Sequence, residues 1–154
     1  MRLRILAVGR LKEPHWRDAA AEYLKRLRPY ASVDVREVPD RDIGRDAARA
    51  VAEEGAGLLR LLPLHVHVIA LDVGGRAISS TALAEHLSQL MLNSRSDIAF
   101  VIGGSAGLAA EVRQRADETL SLSTLTLPHQ LARVVLLEQL YRSFRIMRNE
   151  PYHH

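Results

Sequence analysis

The chain has 154 residues and 17.2 kDa, the size of one domain and enough to bury a core. Hydrophobic residues at 47% and charged residues at 25% exclude disordered and fibrous sequence, and the absence of cysteine excludes disulfides, thiolate nucleophiles and cysteine-based metal sites. The formal charge of +3 is segregated, with eight basic and three acidic residues in 1 to 28, nine and thirteen in 29 to 132, and four and two in 133 to 154. Both ends are basic, so a fold or a dimer that gathers them would build a positive face for a polyanion; otherwise they are solvated helix faces.

Arg2 to Val8 is apolar and β-branched, as a buried strand requires, and Gly9 ends it. From Pro14, placed as a first-turn proline, to Leu27, the residues Trp16, Ala19, Ala20, Tyr23, Leu24 and Leu27 recur at spacings of three and four. That spacing predicts an amphipathic helix. Val33 to Val38 alternates as a half-exposed strand, and residues 45 to 62 read as a second helix. His65 to Leu71 reads as a strand ended by a turn at Asp72-Val73-Gly74-Gly75. Alternation puts His65 and His67 on one strand face; with no third ligand in view, an edge or solvent face is expected and no metal.

Ser79 or Ser80 caps a helix to about Leu92, Ile98 to Ile102 is a fourth strand, and Gly103-Gly104-Ser105-Ala106-Gly107 turns into a helix over Leu108 to Arg115. A short strand at Leu120 to Ser123, a loop with Pro128 and a long apolar helix from Gln130 to Met147 close the chain. Strands alternating with helices predict one α/β domain over 1 to 154, with a mostly parallel sheet and helices on both faces. No apolar run approaches the roughly 18 to 20 residues of a membrane span, and Leu3 to Val8 is too short for a signal-peptide core. A soluble, cytoplasmic protein is the expectation.

In such a sheet ligands lie beyond the carboxyl ends of the strands, which points at Leu71 to Gly75, Ile102 to Gly107 and Ser123 to His129. The glycine loop lacks the spacing of the dinucleotide fingerprint, and no G-K-[ST] of a P-loop occurs. It is either a ligand loop or a tight strand-to-helix turn. Leu122-Ser-Thr-Leu-Thr-Leu-Pro-His129 either presents backbone groups and leucines to an adenine ring or is a hydrophobic crossover. On the last helix Arg142, Arg145 and Arg148 form a stripe, either solvated or set for RNA phosphates. The G-x-S-x-G elbow is missing, and Asp40 with Asp42 and Glu53 with Glu54 look solvated, so hydrolysis is poorly supported.

Four blocks together, Leu3-Arg-Ile-Leu-Ala-Val-Gly9, Ala70-Leu-Asp72, Ile102-Gly-Gly-Ser-Ala-Gly-Leu108, and Leu122 to His129 continuing through Arg133 and Glu138-Gln-Leu-Tyr-Arg142 to Pro151-Tyr-His153, resemble the bacterial 23S rRNA pseudouridine N3-methyltransferases of the SPOUT superfamily. The resemblance spans essentially the whole chain and is loosest in the first helix and in 39 to 64. It implies an α/β domain with a C-terminal trefoil knot, working as a homodimer whose active site draws on both subunits. It further implies S-adenosylmethionine as cofactor, held by Leu71, Gly103, Gly104 and Ser123, Thr124, Leu125, Thr126, Leu127 and Pro128, with Leu122 and His129 at the margins. The implied substrate is a pseudouridine in helix 69 of 23S rRNA, within the assembled ribosome. Arg142, Tyr152 and His153 are then the expected catalytic residues: His153 or Tyr152 of the partner's tail to accept or relay the N3 proton, Arg142 to hold developing negative charge or a phosphate. The competing expectations are a ribosome-binding or assembly module of the same fold without chemistry, and a nucleotide-binding oxidoreductase, which the displaced glycines disfavour.

Overall fold

A computed structural model describes residues 1–152. Five parallel strands form one sheet in the order β2-β1-β4-β3-β5, where β1 is Arg2–Val8, β2 Ser32–Val38, β3 His67–Ala77, β4 Asp97–Ile102 and β5 Glu118–Ser121. Period-2 alternation sends Leu3, Ile5 and Ala7 of β1 and Ile98, Phe100 and Ile102 of β4 to one face, and Leu6, Val8, Ala99 and Val101 to the other. Both faces are buried, which is why these strands read as nearly continuous apolar runs.

Three helices, α1 (Pro14–Leu27), α3 (Ser80–Leu92) and α5 (His129–Met147), cover the first face with Leu27, Leu87, Leu136, Leu137, Leu140 and Phe144. Two others, α2 (Ala47–Leu61) and α4 (Ala110–Arg115), cover the second with Leu58 and Val112. Because α5 packs against both α1 and α3 while its inner side meets the sheet, it needs apolar residues around more than one side. Capping follows local chemistry: the Ser79 hydroxyl accepts from the Ala82 amide and the Asp46 carboxylate from the Arg49 amide. No helix among the described residues is long and apolar enough to cross a membrane.

Four expectations need correction. First, β3 does not stop at Leu71: it pairs with β5 through Ile69–Leu71, lets residues 72 to 75 bulge outward, then pairs again at Arg76 and Ala77. Gly75 makes this possible, because a Cβ there would sit 2.6 Å from the Leu120 carbonyl carbon, whereas one on Gly74 would meet nothing within 4 Å. Gly75→Ala is therefore expected to cost about 1–3 kcal/mol, and Gly74→Ala within about 0.5 kcal/mol of nothing, in paired thermal unfolding curves. Second, α4 starts two residues later than its apolar pattern suggests, after Leu108 and Ala109 have packed as loop.

Third, His67 is buried, while His65 lies outside the strand in an exposed turn, so the two do not share a face. The His67 and His86 Nε2 atoms both meet Glu118 Oε1, and Arg95 Nη1 donates to His67 Nδ1 at 2.9 Å. Arginine cannot accept, so Nδ1 is the acceptor of that bond and Nε2 donates to Glu118. Burial by itself would raise the Glu118 carboxyl, but the bonds from both histidines outweigh it and set it below its ordinary 4.5. A depressed folded value means stability that is full above the unfolded value and lost as pH falls through the folded one. Glu118→Gln should flatten the loss of melting temperature below about pH 4.5 relative to wild type, with Asp97, whose carboxyl the bond from Arg4 depresses in the same direction, left as the residual slope. Fourth, Glu54 is not solvated: it is 5% exposed, accepts from the Arg41 amide at 2.9 Å and backs the Gly104 side of the glycine loop. Among the described residues no group of three or more His, Asp or Glu has a metal-holding arrangement.

Candidate active site

The three loops at the carboxyl ends of β3, β4 and β5 do converge, on a cleft of about 790 Å³. Its floor is the 103–107 loop, which folds back on itself so that the Gly107 amide donates to the Gly104 carbonyl at 3.1 Å. A Cβ on Gly103 would lie 2.8 Å from the Gly107 carbonyl carbon and oxygen, and Gly107 itself has φ +87°. The loop is thus folded tightly on its own backbone at Gly103 and Gly107, with Ser105 and Ala106 between them.

One wall is the 122–129 segment. Ser121 Oγ donates to the Ser123 carbonyl at 2.8 Å and Ser123 Oγ accepts from the Leu125 amide at 2.9 Å. These two hydroxyls hold the loop in a turn that leaves the Leu125 side chain 73% exposed at the cleft. Val73, on the β3 bulge and lining the same cleft, is 75% exposed. Two of the most exposed large hydrophobic side chains therefore line one cleft, which is what a planar apolar group would cover. Pro128, extended at φ −55° and ψ 145°, starts α5 at His129, one residue earlier than the sequence pattern indicates.

Of the expected cofactor contacts, Leu71, Gly103, Gly104, Leu122, Ser123, Leu125, Thr126, Leu127, Pro128 and His129 line the cleft. Thr124 is exposed and is not among the lining residues, because the Ser123 turn carries it outward. Sequence reasoning passed over Asp72 and Arg113, a 2.9 Å ion pair at the rim. Asp72 sat in the loop that the strand-end rule singled out; nothing in the sequence pairs it with Arg113, forty-one positions on.

The expected catalytic side chains gather elsewhere. Glu138 Oε1 accepts from Arg142 Nη2 at 2.7 Å and from the Tyr152 hydroxyl at 3.2 Å, the Arg142 guanidinium lies 4.8 Å over the Tyr152 ring, and Tyr152 packs edge-on against Tyr141. The Glu138 bond raises Arg142 above its ordinary value. Burial, then the Glu138 charge, pushes the Tyr152 phenol up to about 12, so it stays protonated near neutrality and acts there as a donor. His153 lies outside the described residues. None of this cluster lines the cleft: from His129 to Arg142 along α5 is about 20 Å at 1.5 Å per residue.

The cleft has the size and lining of a site for a nucleoside-type ligand. Its volume falls within the usual range for such ligands, exposed aliphatics line it, and its glycine loop is packed so tightly that a Cβ on Gly103 would meet the Gly107 backbone. A parallel α/β domain with this cleft at the strand ends is of the nucleotide- or cofactor-binding class. The family model described as "Predicted SPOUT methyltransferase" matches residues 1–153, and the chain belongs to that family, whose members use S-adenosylmethionine. Solved structures agree at the level of the fold. A probable methylase family protein from Haemophilus influenzae Rd KW20 is similar with TM-score 0.59 and 17% identity, over 99% of this chain and 70% of that one. A probable methyltransferase from Bordetella pertussis Tohama I gives 0.57 and 17%, over 93% and 96%, and TrmJ from Z. mobilis ZM4 gives 0.55 and 18%, over 100% and 73%.

Proposed function

We propose that the chain is an S-adenosylmethionine-dependent RNA methyltransferase that methylates N3 of a pseudouridine in helix 69 of 23S rRNA, in the assembled ribosome. The observation that carries the methyltransferase reading is the glycine-floored cleft, walled by Leu125 and Val73, in a chain that matches the family over residues 1–153. The rRNA target rests on the sequence motifs that end in Pro151-Tyr152-His153.

Leu71, Gly103, Gly104, the 122–129 wall and the Asp72 carboxylate would hold the cofactor, and the bound sulfonium supplies an activated methyl group. The chain's own contribution is orientation and charge. As the new N3–carbon bond forms, the N3 proton must leave, and the ring briefly gains negative character. Arg142 compensates that charge, the protonated Tyr152 keeps Arg142 and Glu138 in place, and His153 takes the proton. Reacting groups must come within about 3–3.5 Å, yet the tail cluster and the cleft of one chain are about 20 Å apart along α5. A homodimer, in which one copy's tail meets the other's cleft, closes that gap, and the C-terminal knot of the family belongs to the same proposal.

Intact ribosomes and deproteinised 23S rRNA, offered with labelled cofactor, test the reading. Label should enter the ribosome and not free rRNA. Tight cofactor binding without transfer to either would favour the non-catalytic module instead.

A further inference from the structure

A second depression lies at the same end of the sheet, a groove of about 330 Å³ between α1 and the first half of α5. Its floor is aliphatic, from Leu11, Ala20, Leu24, Val35 and Leu137. Arg10 and Arg17 line it, both exposed and neither with an ion-pair partner among the described residues. The one acid in the groove, Glu37, is already matched: Arg133, buried, binds it through Nη1 and gives Nη2 to the Gly9 carbonyl at 2.8 Å. The groove therefore presents two unmatched positive charges around an apolar floor, in the most basic segment of the chain.

Its position relates it to the active site. Helix α5 is the wall between the two depressions: His129 and Ala132 face the cleft, Arg133 and Leu137 the groove. One helix is about 10–12 Å across with its side chains, so the two sites are near neighbours. We propose that this groove is a second RNA subsite, which takes one unpaired nucleotide flanking the target, its base against the aliphatic floor and its phosphate on Arg10 and Arg17. The proposal rests on the reading that the substrate is RNA. The arginine fork matches phosphate oxygens, and splayed bases of loop RNA seek apolar or planar surfaces. A groove with apolar floor and cationic rim takes both halves of a nucleotide at once.

The test compares wild type, R10E/R17E, R10K/R17K and R28E, the last an equally exposed charge reversal at the far end of α1. The probe is a labelled unstructured hexaribonucleotide followed by anisotropy across a salt series. R10E/R17E should weaken binding about tenfold or more, and lower the log–log salt slope by about 0.7 if the arginines share one phosphate or about 1.4 if they take two. R10K/R17K should keep the slope, R28E should match wild type, and cofactor affinity should be equal in all four. In ribosome methylation R10E/R17E should raise KM about tenfold with kcat within about twofold. Wild-type affinity and slope in R10E/R17E overturn the subsite, as does a wild type that binds no oligonucleotide. A wild type that binds RNA through these arginines but methylates no ribosome keeps the subsite and removes the functional reading; normal ribosome KM in R10E/R17E removes the subsite alone.

Discussion

A chain ending at Glu150 should bind S-adenosylmethionine as the full-length protein does and lose kcat for methyl transfer by about 10²–10⁴-fold, the range for removal of a general base. The loss is separable from binding because Pro151 and Tyr152 engage Arg145 and Glu138 of their own α5, none of which lines the cleft of that chain. Tyr152 lies against Tyr141, Arg142 and Glu138 on the second half of α5, while the cleft is built from β3, β4, β5 and the first turn of that helix. Calorimetric titration and single-turnover transfer on the same preparation read the two properties. Undiminished turnover would remove the tail from the reaction. Tyr152→Phe should cost far less than the truncation, since a phenol pushed up to about 12 is protonated at the working pH and serves to anchor Glu138.

Gly103→Ala should have the opposite signature, a large loss of cofactor affinity in a chain that still folds. The new methyl carbon would lie 2.8 Å from the Gly107 carbonyl and 3.1 Å from Leu108 Cδ2, so the backbone of the loop has to open. Displacement of a binding floor by about 1 Å can cost about 10²-fold in rate, and a comparable fall in affinity is expected by titration. Because β4 is buried on both faces and paired on both edges before Gly103 begins, unfolding should shift much less than binding does. Equal affinity in Gly103→Ala and wild type would mean that the cradle is a turn and not a ligand site.

The parallel sheet, all ten elements and the three converging loops were legible in the sequence because they depend on short-range signals: period-2 runs, period-3.6 faces, Ser and Asp caps, and glycines at strand ends. What stayed hidden depends on partners distant in the chain. The 72–75 bulge looks like a turn until Leu120 is known to lie against Gly75. His67 looks like a surface residue until Arg95, His86 and Glu118 close around it. Glu54 sits in a charged run, and only its contact with the Arg41 amide and the glycine loop explains its burial. At the site, the alternation of Ser and Thr with leucines from 122 to 127 marked the cleft wall, but the turn that Ser123 makes with Leu125, which sends Thr124 out, follows from loop geometry that spacing does not encode. The arginine stripe of α5 was visible as a stripe, and the Glu138–Arg142 pair follows from their i,i+4 spacing; the Arg145–Glu150 pair depends on how the chain turns after Met147.

The central claim is a base nitrogen methylated on a ribosome by a site assembled from the cleft and the C-terminal tail. Its most direct test is to incubate ribosomes with the protein and isotopically labelled S-adenosylmethionine, digest the 23S rRNA, and locate the labelled methyl by mass spectrometry. The account predicts one label, on N3 of a pseudouridine in the helix 69 loop, absent when residues 151–154 are removed. Label on a ribose 2′-oxygen, or on any nucleotide when the tail is gone, would contradict it.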